Sequence, residues 1–165
     1  MKELTKSEKI NMNIKDISKE VKQQLKTKYP KCKFSITIER YSGGQAMIIS
    51  LMSANFKAIK NFKDISKDAI EFYGNNRYTP EQLKEMQERS YSQLNHYQLM
   101  EEYDSDKWCN GIFLTEKAHQ VLQDAIKISN QYNYDESDIQ TDYFCNNFYL
   151  HINIGKWNKP YTQEE

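Results

Sequence analysis

Between Ile10 and Leu25 apolar residues recur at Ile10, Ile14, Ile17, Val21 and Leu25, at spacings of 4, 3, 4 and 4. That spacing draws one stripe along an amphipathic helix spanning 10–28, with lysines on its other face. Tyr29-Pro30 ends it, because the residue before proline is pushed out of the α region. The period then changes to two. In KFSITIER, Phe34, Ile36 and Ile38 alternate with Ser35, Thr37 and Glu39, the pattern of a half-buried strand. YSGG at 41–44 supplies a turn, and QAMIISLMSA continues as a second strand, so the pair predicts a β-hairpin.

The middle of the chain is less regular. Residues 55–80 place Ile59, Phe62, Ile65, Ala69, Ile70 and Phe72 at rough helical spacing. Thr79-Pro80-Glu81 reads as a helix start, with Thr as N-cap and Pro at the first helical position, and this helix is expected to run to about Tyr103. NGIF at 110–113 suggests a turn and a short strand. A second strong helix follows, capped by Thr115. Its stripe is Ala118, Val121, Leu122, Ala125, Ile128 and Tyr132. The last strand is expected over 144–155. There Phe148, Leu150, Ile152 and Ile154 alternate with Asn147, Tyr149, His151 and Asn153.

These elements, in the order α-β-β-(α)-α-α-β, predict an α+β fold. A small antiparallel sheet of three or four strands carries helices packed on one face. Its other face would hold Ser35, Thr37, Glu39, Tyr149, His151 and Asn153. A length of 165 residues fits a single domain over 1–165, with 1–9 expected to be flexible and 55–110 a candidate helical insertion.

Composition shifts attention to the surface. Twelve tyrosines favour an aromatic, folded chain over a disordered one. Net charge is zero but unevenly spread: residues 1–33 hold ten Lys and four acids, and residues 100–142 hold ten acids and three Lys. Lys15, Lys19, Lys22 and Lys26 give the first helix a basic stripe able to meet phosphates, with Arg40 beside the hairpin turn. Cys32, Cys109 and Cys145 lack a Cys-x-x-Cys spacing and read as reduced thiols of a cytoplasmic protein. The amino terminus has no apolar leader core, and no window is apolar enough to span a membrane, so no membrane association is expected.

The acids Asp135, Glu136, Asp138 and Asp142 invite a metal reading. Counted from Asp138, a calcium loop would need Gly where Tyr143 stands; counted from Asp135, its fifth position falls on Ile139. Local capping or partner contact fits them better. His96, His119 and His151 show no zinc spacing. No catalytic residue, metal or cofactor is assigned, and the chain reads as non-enzymatic.

Two stretches together resemble a known family. KFSITIERYSGGQAMIIS and YNYDESDIQTDYFCNNFYLHINIGKWNKPY are similar to the large polyvalent protein-associated domain family, number twenty-nine of its series, over about residues 14–54 and 115–161. The resemblance implies an α+β accessory protein of a phage or conjugative element, acting in the bacterial cytoplasm. It carries no catalytic residues onto this chain. The expected function is binding to a protein partner, such as a host defence component, as an anti-CRISPR would do. The expected contacts are Tyr41, Tyr149, His151, the 81–106 helix and the acidic residues Asp135, Glu136, Asp138 and Asp142. The alternative is a nucleic-acid-binding accessory protein using Lys15, Lys19, Lys22, Lys26, Arg40 and the polar sheet face. Tyrosine-rich surfaces and sheet edges also leave a homodimer open.

Overall fold

The computed structural model describes residues 4–74, 78–109, 111–137, 140 and 145–165, and it divides the first predicted helix in two. Helix α1 is Lys6–Asn11 and helix α2 is Ile14–Lys28. The break is local chemistry. Asn13 accepts the N–H of Lys15 with its side chain and so starts a new helix rather than continuing the old one. Ile10 is left 50% exposed, while Ile14, Ile17, Val21 and Leu25 are buried as the stripe requires.

Strands β1 (Cys32–Tyr41) and β2 (Gly44–Ala54) form the expected hairpin, closed by Ser42 and Gly43. Gly43 has φ 87°, which the tight turn needs. A 3-10 turn at Phe62–Asp64 and helices α3 (Lys67–Gly74) and α4 (Pro80–Glu88) come next. The helix expected from Thr79 to Tyr103 is corrected here. Its start stands, with Thr79 and Gln82 in a reciprocal cap, but it stops at Glu88. Ser90 follows in the left-handed region at φ 55°, and strand β3 (Ser92–Leu94) turns the chain into the sheet. Asn95 then caps a short helix α5 (His96–Met100) by accepting the N–H groups of Tyr97 and Gln98. Strands β4 (Trp108–Cys109) and β5 (Ile112–Phe113) make a two-stranded ribbon. Helix α6 (Glu116–Asn130), strand β6 (Tyr149–Ile154) and strand β7 (Thr162–Gln163) complete the chain.

The class is α+β, with the sheet order β1-β2-β6-β3 and β7 beside β2. The sheet is mixed, not wholly antiparallel as expected. Strand β6 runs parallel to β2, from Ala46 opposite Tyr149 to Leu51 opposite Ile154. A long connection through helices returns the chain in the same direction, which a tight hairpin cannot do. The 55–110 segment is part of this sheet rather than a helical insertion. It supplies β3, and its Leu94 and Leu99 lie in the main core.

Helices α2 and α6 cover one face. There Met47, Ile49 and Leu51 stand beside Leu150, Ile152 and Ile154, with Phe34, Ile36 and Ile38 packed against them. Asp124 of α6 ties the two helices together. It accepts from the Tyr29 hydroxyl at 2.5 Å and pairs with Lys28 at 2.7 Å. Burial opposes its charge, but these two partners outweigh that and hold its carboxyl below the usual range.

Candidate functional site

Side chains on the face opposite the helices fall into cross-strand rows. Glu39, Ala46 and Tyr149 share one row; Thr37, Ile48 and His151 the next; Ser35, Ser50, Asn153 and Gln93 the third. Alternation in the sequence placed Ser35, Thr37, Glu39, Tyr149, His151 and Asn153 together here, and they do share this face.

The third row is spanned by a side chain. Lys156 lies two residues beyond β6, and its Nζ donates to Ser35 Oγ on β1 at 2.9 Å, reaching over β2. The first row is open. Tyr41 and Tyr149 lie on either side of β2 with ring centroids 6.4 Å apart and planes inclined by 28°. They can approach because β2 offers only Gly44 and Ala46 between them. A Cβ at Gly44 would meet Tyr41 Cε2 at 3.0 Å. Gly44→Ala is therefore expected to swing the Tyr41 ring outward, at a cost of about 1 kcal/mol. Loss of Tyr41–Tyr149 cross-peaks between ring protons in an NMR spectrum is the readout, and unchanged peaks would contradict this packing.

Beside the second row, His151 Nδ1 is 3.1 Å from Gln93 Nε2 on β3. Beyond β3, helix α5 raises His96 and Tyr97 next to the sheet, with their rings packed at 4.0 Å. Burial lowers the His96 pKa, and the nearby His151 lowers it further, so His96 favours its neutral imidazole. Gln93, His96, Tyr97, Trp108, Tyr149 and His151 line a cavity of about 540 Å³. A second cavity of about 340 Å³ lies on the other side of the same tyrosines, towards Asn133, Tyr134 and Asp135. Tyr97 and Tyr149, which line both, are 72% and 38% exposed, and Tyr41 is 50% exposed.

Gln93, His96 and Tyr97 lie within the 81–106 segment expected to make contacts, with His96 weighed only as a zinc ligand, and Trp108 was not singled out from the sequence. The nearest signal is Asn95, whose N-cap chemistry marks a new helix start inside what reads as one long helix. Trp108 sits inside an aromatic cluster with Tyr73 and Tyr78.

Two of the acidic residues have partners within the chain. Asp135 accepts the Ser137 N–H at 2.9 Å, and hydrogen bonds from Ser137 lower its pKa. Glu136 pairs with Lys6 of α1 at 2.5 Å, and its N–H donates to Cys145 O at 2.7 Å. Asp138 and Asp142 lie outside the described residues. Among the described residues, no group of three or more His, Cys, Asp or Glu could hold a metal ion.

Lys15, Lys19, Lys22 and Lys26 are exposed on α2, on the helical side of the sheet. Tyr149 and His151 look out on the other side, so the basic stripe and the polar face do not form one surface. Arg40 is exposed beside the hairpin turn. Cys32 and Cys109 are buried, and burial pushes both thiols up, away from nucleophilic character. Among the described residues, no helix is long and apolar enough to cross a membrane.

The family model described as Large polyvalent protein associated domain 29 matches residues 12–134. That span takes in 55–110, which the sequence resemblance left aside, and ends before β6, which the resemblance included. No curated protein and no solved structure matches the chain.

Proposed function

Since the chain belongs to the Large polyvalent protein associated domain 29 family, we propose that it is a non-enzymatic binding protein of a mobile genetic element, gripping a protein partner through its exposed tyrosines. The observation that carries this reading is that exposed Tyr97 and Tyr149 line two adjoining cavities, with the exposed Tyr41 ring stacked beside Tyr149. Tyrosine offers a large apolar ring, little rotamer entropy to lose, and a polar tip that bonds to a partner. Neither cavity has a Lys or Arg among its described lining residues, which favours a protein over a polyanion on this face.

The finer reading is that the partner is a host defence component met in the bacterial cytoplasm, with this chain acting as an inhibitor such as an anti-CRISPR. It rests on the mobile-element setting that the family resemblance implies.

The test is affinity capture from a defence-competent host, followed by binding of the purified partner. Wild-type protein is expected to retain a defence component. Tyr97→Ala and Tyr149→Ala should each weaken that complex by about 30-fold, and together by on the order of 1,000-fold, because central aromatic truncations cost about 2 kcal/mol each. If the double variant captures the same proteins with equal affinity, the sheet face is not the contact surface.

A further inference from the structure

A cleft separate from the tyrosine face lies between the 57–63 segment and helix α4. It holds about 540 Å³ and shares no lining residue with the two cavities described above. Ile59 and Phe62 belong to its apolar lining. Lys57, Lys60, Lys63 and Lys84 also line it, with Glu88 as the one acid among its described lining residues, a net charge of +3 from four cations and one anion.

We infer that this cleft is a binding site for a phosphate-bearing ligand of nucleotide size, with the phosphates held by the lysines and the base or sugar resting on Ile59 and Phe62. Its volume falls in the range of small-molecule sites. Several lysines are steadied by neutral groups, so their charge is positioned without being cancelled. Lys57 Nζ donates to Asn61 Oδ1, and Lys60 Nζ donates to Ser105 O at 2.7 Å. Lys84 keeps only a loose pair with Glu88 at 3.8 Å. Asp64, close by in sequence, accepts from Asn61 Nδ2 at 2.8 Å.

Shape separates this site from the α2 lysines. A concave surface of one sign with apolar walls focuses its field, whereas a convex helix spreads it into water. On α2, Asp16 and Glu20 also interrupt the lysines, and Lys19 is paired with Asp16 at 3.0 Å. Lysine suits the ligand class, since it meets phosphate as a point charge.

Two sources share this chemistry: a free nucleotide and the backbone of a single-stranded nucleic acid. The test uses the full chain with two probes, ATP labelled on its ribose and a fluorescein-labelled oligothymidine, read by anisotropy. Saturable binding of at least one probe is expected at about 50 mM salt. For the oligothymidine, log affinity should fall against log salt with a slope near −2 to −3, as about four phosphate contacts require. Tighter binding of ATP assigns the free nucleotide; tighter binding of the oligothymidine assigns the nucleic-acid backbone.

Lys63→Glu with Lys84→Glu should weaken binding by about tenfold or more, and the matching arginine pair should retain it. Lys15→Glu with Lys22→Glu should change it by less than about twofold. All four positions are exposed, so each variant is expected to fold, and thermal melting checks this. No saturable binding of either probe overturns the inference. So does equal displacement by an oligoglutamate peptide, which would mark a general acidic-protein surface. A loss in the α2 variant as large as in the cleft variant overturns it too.

Discussion

Gly155→Ala is expected to lower the unfolding free energy by about 4 kcal/mol or more, which for a single methyl is at the extreme of mutational effects. Gly155 has φ 56°, where a Cβ costs about 1–2 kcal/mol by itself. The larger part is collision. The added Cβ would lie 2.5 Å from Tyr161 N, 2.6 Å from Ser90 O and 3.0 Å from Pro160 C. All three are backbone atoms, so no side chain can swing aside. They also belong to a junction that cannot open cheaply. Gly155 N–H donates to Leu51 O at 2.9 Å, Tyr161 N–H donates to Ser90 O at 2.9 Å, and the Tyr161 hydroxyl donates to Phe56 O at 2.5 Å. Relieving the overlap means parting β3 from β6, and with it Gln93 from His151. Urea unfolding measures the effect. Gly43→Ala is the control: its φ is 87°, but nothing lies within 4 Å of the added carbon, so only the backbone term of about 1–2 kcal/mol applies. Equal losses in the two variants would refute the close approach at Gly155.

That junction also shows where the sequence stops being readable. Alternation over long stretches is a strong local signal. It fixed the hairpin, the last strand and the face on which Tyr149 and His151 lie, because parity alone decides which side of a strand a residue takes. Strand β3 escapes the same logic. Ser92-Gln93-Leu94 gives one cycle of alternation inside polar, helix-forming neighbours, and it is a strand because Leu94 lies opposite Ile152. The direction of β6 is equally silent, since parallel and antiparallel pairing bury the same alternate residues. The tyrosine site was therefore half legible. Tyr41, Tyr149 and His151 follow from strand parity, whereas His96 and Tyr97 join them through the placement of β3 and α5. One of the acidic residues shows the same limit. Glu136 finds Lys6 at the far end of the chain, a pairing that no local spacing announces.

Gln87→Ala carries the second large effect, and composition gives no hint of it. A glutamine in PEQLKEMQE reads as solvated helix surface, yet Gln87 is only 4% exposed. Its side-chain amide acts as a missing piece of strand. Nε2 donates to Phe113 O at 2.8 Å and to Lys60 O at 3.1 Å, and Oε1 accepts the Phe113 N–H at 3.0 Å. Truncation takes this partner from the Phe113 N–H and the Lys60 carbonyl in a buried setting, where each such loss costs about 1–3 kcal/mol before water enters, while Phe113 O keeps the Lys60 N–H. A loss of about 3 kcal/mol in urea unfolding is expected. Gln87→Met separates bonding from filling: it restores volume but no hydrogen bond, so it should recover less than half of the loss. Gln87→Glu adds a sign test. Its carboxylate would face two carbonyl oxygens, so the folded state should raise its pKa above the ordinary glutamate value. Protonation restores one donor. The stability gap between this variant and wild type should therefore narrow as pH falls through that raised value and widen again towards neutrality. A gap independent of pH would mean that the amide does not bridge α4 to Phe113. Because the same amide also holds the Lys60 carbonyl, Gln87→Ala should loosen the lysine cleft as well, weakening any phosphate ligand bound there without removing a single charge.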